Sequence, residues 1–64
     1  MVKVNGKMEN IAGLKLLEYL EKVGYDTKRL AVECNGEIVP KSEYSTWILK
    51  ENDVLEVVSF VGGG

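Results

Sequence analysis

Residues 13–24 read Gly-Leu-Lys-Leu-Leu-Glu-Tyr-Leu-Glu-Lys-Val-Gly, and here apolar side chains recur at helical spacing. Leu16, Leu17, Leu20 and Val23 share one face, while Lys15, Glu18, Glu21 and Lys22 occupy the other. Tyr19 falls at the boundary between them. Gly24 adopts left-handed backbone angles without steric cost, so it is the expected helix stop. The start is less sharply marked. Lys15 has no acceptor to offer an N-terminal N–H, whereas Asn10 does, which makes Asn10 the expected cap. A helix this short needs its apolar face packed against another element to persist in water.

The segments on either side of the helix read as strands. Val2–Val4 and Lys7–Glu9 flank Asn5-Gly6, and Leu30–Cys34 and residues 37–39 flank Asn35-Gly36. Asn-Gly tolerates positive φ at both central positions of a type I′ turn, the geometry that matches strand twist in a two-residue hairpin. The Lys7–Glu9 strand is short and expected at an edge. Pro40, which lacks an N–H for a ladder, ends the second hairpin. Ser42 is placed to cap a short helical turn running to about Thr46, and Trp47-Ile48-Leu49 reads as a short extended piece. After the polar loop 50–53, residues 54–61 form a strand rich in β-branched side chains.

One helix between two hairpins, followed by a strong last strand, predicts an α+β domain. Its helix crosses one face of a mixed sheet of four to five strands, with the last strand beside the first. That is the β-grasp arrangement of ubiquitin-like proteins. Alternation along the last strand assigns its faces. Leu55 and Val57 point inward, because the opposite choice would bury Glu56. Val58 and Phe60 then point outward near the chain end, a candidate docking patch.

Composition narrows the function. The 64 residues permit one small core, read as a domain over residues 1–61 with a glycine tail over 62–64. Ten acidic against eight basic residues, interspersed, supply no basic face for nucleic acid. Apolar runs are far too short to span a membrane, and no charged-then-apolar leader is evident. A single cysteine, Cys34, and no histidine exclude an internal disulfide and a zinc site of thiolates and imidazoles. The cytoplasm is therefore the expected compartment, with no metal held by this chain. The histidine count also removes the commonest general base near neutral pH. Cys34 has no visible activating partner and reads as structural. No side chain is assigned a catalytic role.

What remains is Gly62-Gly63-Gly64. Glycine loses the most entropy on ordering, so this tail has no structural use. At about 3.3–3.6 Å per residue it can carry the Gly64 carboxylate roughly 10 Å from the last strand. Without Cβ atoms it fits a slot that closes on backbone alone. Such a tail suits delivery of a terminal carboxylate into the active site of another protein.

Val4-Asn5-Gly6, residues 16–20, residues 32–40 (Val-Glu-Cys-Asn-Gly-Glu-Ile-Val-Pro), residues 53–58 and Phe60-Val61-Gly62-Gly63-Gly64 together resemble the ThiS family, the sulfur carriers of thiamine biosynthesis. The likeness runs through nearly the whole chain. The glycine ending alone is common to ubiquitin-like carriers, whereas Asn-Gly-Glu-Ile-Val-Pro joined to Phe-Val-Gly-Gly-Gly is selective. Leu14-Lys15 departs from the Thr-Leu often found before the helix, and Cys34 stands at a variable position. The resemblance implies that a ubiquitin-activating-like adenylyltransferase adenylates Gly64 using ATP and magnesium. Sulfur from a donor such as a cysteine desulfurase then gives a thiocarboxylate, which thiazole synthase consumes. Gly62 and Gly63 would thread the partners' channels, and this chain would bind no cofactor itself. Two alternatives stay open: a carrier for molybdopterin or tRNA thiolation, and a non-covalent β-grasp interaction module.

Overall fold

The computed structural model describes residues 1–60. The strand end at Val61 and the tail Gly62, Gly63 and Gly64 lie outside the described residues. Strands β1 (Val2–Val4) and β2 (Lys7–Glu9) precede helix α1 (Leu16–Val23). Strands β3 (Leu30–Cys34) and β4 (Glu37–Ile38) follow, then a 3₁₀ turn at Lys41–Glu43 and strand β5 (Val54–Ser59). The sheet has five strands in the order β2-β1-β5-β3-β4. β5 runs parallel to β1 and antiparallel to β3. This is the ubiquitin-like β-grasp, with β2 at one edge and β4 at the other.

Both Asn-Gly turns form as their sequence requires, with φ of 49° at Asn5 and 54° at Asn35. Their side chains also act as pieces of strand. The Asn5 amide donates to the Val57 carbonyl at 3.1 Å and accepts from the Val57 N–H at 2.8 Å. β1 stops at Val4, so Asn5 continues its ladder along β5. Asn35 closes the other flank, accepting from the Val54 N–H at 2.9 Å and donating to Asp53 Oδ1 at 3.0 Å. Asn5→Ala is therefore expected to cost about 1–3 kcal/mol, because it strands a part-buried N–H and strains a positive-φ position. Asn5→Gly keeps the backbone angle and loses only the bonds, so urea unfolding of the pair separates the two causes.

Leu16, Tyr19 and Leu20 of α1 pack on Val2 and Val4 of β1, Leu30, Val32 and Cys34 of β3, and Leu55 and Val57 of β5. Ile11, Val39, Tyr44 and Leu49 close the rim of the core. Each fully buried Leu or Val contributes about 1.5–3 kcal/mol of transfer free energy. The helix face differs from expectation at two places. Tyr19 is buried, and Val23 is exposed at the last turn beside Gly24. Leu16, Tyr19 and Leu20, related by i, i+3 and i+4, set the buried line; Leu17 lies only partly under cover. Gly24 does close the helix, at φ 98°, donating its N–H to Leu20 and Glu21.

Asn10 does not cap the helix. Gly13 sits at φ 95°, which breaks any helix begun before it, and Lys15 is the N-terminal flanking residue. The free N–H groups that follow find backbone partners elsewhere in the fold. Leu16 donates to the Trp47 carbonyl at 2.7 Å and Leu17 to the Tyr44 carbonyl at 2.8 Å. Glu18 Oε1 accepts from the Lys15 N–H at 3.0 Å. The 44–49 segment is thus the helix cap, and its extended part makes a single bridge, Ile48 to Lys15. Ser42 likewise caps nothing; it lies within the 3₁₀ turn, which Pro40 precedes without a side-chain bond. β4 is also shorter than expected, ending at Ile38, although Val39 still donates to the Val32 carbonyl at 2.9 Å.

Candidate functional site

β5 occupies the centre of the sheet and delivers the chain to its C-terminal end. Alternation places Leu55 and Val57 in the core and leaves Val54, Glu56 and Val58 on the face away from the helix. Val58 and Phe60 are 54% and 56% exposed. The exit from the sheet is fixed by backbone, since Phe60 donates its N–H to the Arg29 carbonyl at 2.7 Å. The Asn5 amide holds Val57 from the other side. The last described residue before the tail is thus tied down.

Cross-strand register adds members that strand alternation could not supply. Val58 faces Ala31, Glu56 faces Glu33, and Glu33 faces Ile38 of β4. On the other flank Val54 lies beside Lys3, which faces Met8 of β2. Ile38 at 71% and Met8 at 59% are among the most exposed large apolar side chains. The open face of the sheet therefore carries Met8, Val54, Val58, Phe60 and Ile38 together. The Asn35-Gly36 turn, read strictly, pairs Cys34 with Glu37 and Glu33 with Ile38, so Ile38 was accessible from sequence.

Cys34 does not belong to that face. It is buried, beneath a shallow groove of about 630 Å³ lined by Asn35, Glu37, Trp47, Lys50 and Asp53. Burial pushes its thiol above the ordinary value, and the Asp53 carboxylate adds to this, while the Trp47 indole acts the other way. Asp53 is already engaged, accepting from Asn35 Nδ2 at 3.0 Å and from the Lys50 N–H at 2.8 Å. A neutral thiol is a weak nucleophile. Its raised value also has a sign for stability. The unfolded chain loses the thiol proton first, so the contribution is full below the ordinary thiol value and is lost as pH rises through the folded one. Cys34 is expected to alkylate with iodoacetamide far more slowly in the folded chain than in urea; equal rates would show an accessible thiol.

Among the described residues, no group of three or more His, Cys, Asp or Glu is arranged to hold a metal ion. No described helix is long and apolar enough to cross a membrane.

The ThiS family model matches residues 2–64. The chain belongs to the ThiS family. The match includes the glycine ending. The sulfur carrier protein ThiS of Thermus thermophilus is 38% identical over 64 residues, and the alignment covers 100% of both chains. The crystal structure of the thiamine biosynthesis protein ThiS from Geobacter metallireducens superposes with a TM-score of 0.77 at 28% identity, covering 98% of this chain and 97% of that one. A thiazole synthase of Paramagnetospirillum magneticum is 42% identical over 62 residues, 95% of this chain. The chain spans only 19% of that protein's length, and 20% of a second thiazole synthase from Magnetococcus marinus. Those two proteins therefore contain a ThiS-like segment within a much longer chain.

Proposed function

We propose that the chain carries sulfur on the Gly64 carboxylate for assembly of the thiamine thiazole. The observation that carries this reading is a ThiS-family β-grasp whose match runs through Gly64 itself. A free carboxylate is a poor acyl donor. Transfer of AMP from ATP to its oxygen, with pyrophosphate leaving, turns it into a mixed anhydride. Attack by the terminal sulfur of a donor persulfide expels AMP and forms an acyl disulfide. A second thiol then attacks the donor's own sulfur, forming a disulfide there and leaving the thiocarboxylate on Gly64. The ATP, the magnesium and the catalytic groups belong to the adenylyltransferase, a ubiquitin-activating-like enzyme. A cysteine desulfurase is the proposed source of sulfur, and thiazole synthase its acceptor. The two thiazole synthases that contain a ThiS-like segment support that last pairing. This chain is a co-substrate and not an enzyme.

Physical chemistry divides the work between tail and sheet. Gly62 and Gly63, lacking Cβ atoms, suit a narrow channel leading to a partner's active site. Val58 and Phe60 suit docking, since exposed apolar side chains at the root of the tail can anchor a partner without obstructing it. The test is intact mass spectrometry of the untagged chain before and after incubation with ATP, magnesium, adenylyltransferase and sulfur donor. Exchange of one oxygen for sulfur, mapped to Gly64, is the expected result. An unchanged mass with an adenylyltransferase active on its own carrier would refute the reading and favour a non-covalent module.

A further inference from the structure

Both hairpin turns are Asn-Gly, the pair in which an asparagine side chain is chemically least durable. Glycine carries no Cβ, so its backbone nitrogen approaches the asparagine Cγ without steric cost. The fold opposes this reaction at Asn5-Gly6 and at Asn35-Gly36 by holding the amide oxygen and nitrogen of each asparagine in hydrogen bonds. Ring closure must turn the carboxamide out of those bonds, so the rate at each site follows how often its turn opens.

The two turns are not held alike. Asn5 is bonded at both atoms to the backbone of Val57, at 3.1 Å and 2.8 Å, in a part-buried position on the central strand. Its hairpin has three register pairs, and β1 is also paired with β5 on its far side. Asn35 has one backbone anchor for its side chain, the Val54 N–H at 2.9 Å. Its Nδ2 donates instead to a side chain, Asp53 Oδ1, at 3.0 Å in a bond open to solvent. β4, which carries the chain away from Gly36, is two residues long at the sheet edge and has two register pairs. The main-chain N–H of each asparagine bonds to β5, so the contrast lies in the side chain and in the outgoing strand. A short edge strand opens locally at lower cost than one packed against the centre of the sheet.

We propose that Asn35 is a site of spontaneous deamidation in the folded chain, whereas Asn5 is protected until the domain unfolds. The Gly36 nitrogen attacks Asn35 Cγ and loses its proton. The carboxamide nitrogen leaves with that proton as ammonia, and a succinimide ring closes. Water then opens the ring at either carbonyl, giving aspartate or isoaspartate at position 35. No oxidant, reductant or enzyme is needed, and the inference is independent of the carrier reading.

The product changes the turn. The donor to Asp53 becomes an acceptor, so two carboxylates face each other where a hydrogen bond of 3.0 Å stood. The groove above buried Cys34 is lined by Glu37 and Asp53 as well as Lys50, so its lysine is already outnumbered before the new charge arrives. Repulsion then drives the Asn35-Gly36 turn away from the 50–53 loop and uncovers the thiol.

The test ages the full untagged chain at neutral pH, with and without urea. Digestion at acid pH, where the reaction is slow, precedes peptide mapping by mass spectrometry. Replacement of amide nitrogen by oxygen is expected at least about tenfold faster at Asn35 than at Asn5 in the folded chain, and at similar rates in urea. Asn35→Asp, the product with an unaltered main chain, is expected to unfold at lower urea than the parent. Its Cys34 should alkylate several-fold faster, and adding Asp53→Asn should restore both properties. Conversion of Asn5 as fast as Asn35 in the folded chain would overturn the inference, as would an intact Asn35 once the urea sample has fully reacted. Parental Cys34 reactivity in a folded Asn35→Asp chain would overturn the uncovering of the thiol.

Discussion

A chain extended by one alanine after Gly64 is expected to lose conversion to the thiocarboxylate by about a hundredfold or more. Two physical causes act together. The Gly64 carbonyl becomes an amide, which has no oxygen that ATP can activate. The new carboxylate stands one residue further out, about 3.3–3.6 Å beyond the old position. Misplacement of a reacting group by even about 1 Å can cost on the order of a hundredfold. The added Cβ also enters a space that a glycine tail leaves empty. Gly63→Ala separates these effects, because it keeps the length and the Gly64 carboxylate while adding only the methyl. Partial activity in Gly63→Ala with none in the extended chain would place the larger share in carboxylate position. The measurement is the oxygen-for-sulfur mass change against time at fixed adenylyltransferase. Conversion of the extended chain at the parental rate would show that the activating enzyme accepts a displaced, non-glycine terminus and would overturn the assignment of the chemistry to the position of Gly64.

The fold was legible because its signals are local. Two Asn-Gly turns locate two hairpins, the change from period 2 to helical spacing locates α1, and Gly24 ends it. Glu56 alone oriented β5, since a carboxylate does not enter a core unpaired. What escaped was decided by contacts distant in sequence. Lys15 precedes the helix in place of Asn10 because the Tyr44 and Trp47 carbonyls accept from the Leu16 and Leu17 N–H groups, and no local capping rule can see them. Tyr19 replaces Val23 in the core because the sheet lies under the first turns of the helix and not under its last. The open face was read only as Val58 and Phe60, one strand's contribution. Met8, Val54 and Ile38 join it through register between strands, as does the opposed pair Glu33 and Glu56. Alternation gives the face of each strand, but neighbours across a sheet require the strand order.

β5 offers the sharpest test of that division, because adjacent positions on it answer to different demands. Leu55 is 0% exposed on the central strand, between β1 and β3, and packs in the same cluster as Leu16 and Leu20. Leu55→Ala is expected to cost about 2–5 kcal/mol, the transfer free energy of the lost carbons plus the cavity they leave. A domain of this size has a total stability of only roughly 3–10 kcal/mol. Much of the population of the Leu55→Ala chain is therefore expected to be unfolded near room temperature. Trp47, the single tryptophan and itself partly buried against the core, reports the transition by fluorescence in urea. Val58→Ala, three residues along and on the open face, should change stability by no more than about 0.5 kcal/mol. Its loss should appear instead as weaker binding to partner proteins. Unfolding of Leu55→Ala at the parental urea concentration would mean that the centre of the sheet can collapse around the cavity. Parental partner affinity in Val58→Ala would move docking off this part of the strand. The pair together decides whether the two faces of β5 are independent: one holds the domain together, and the other is free to be shaped by what it binds.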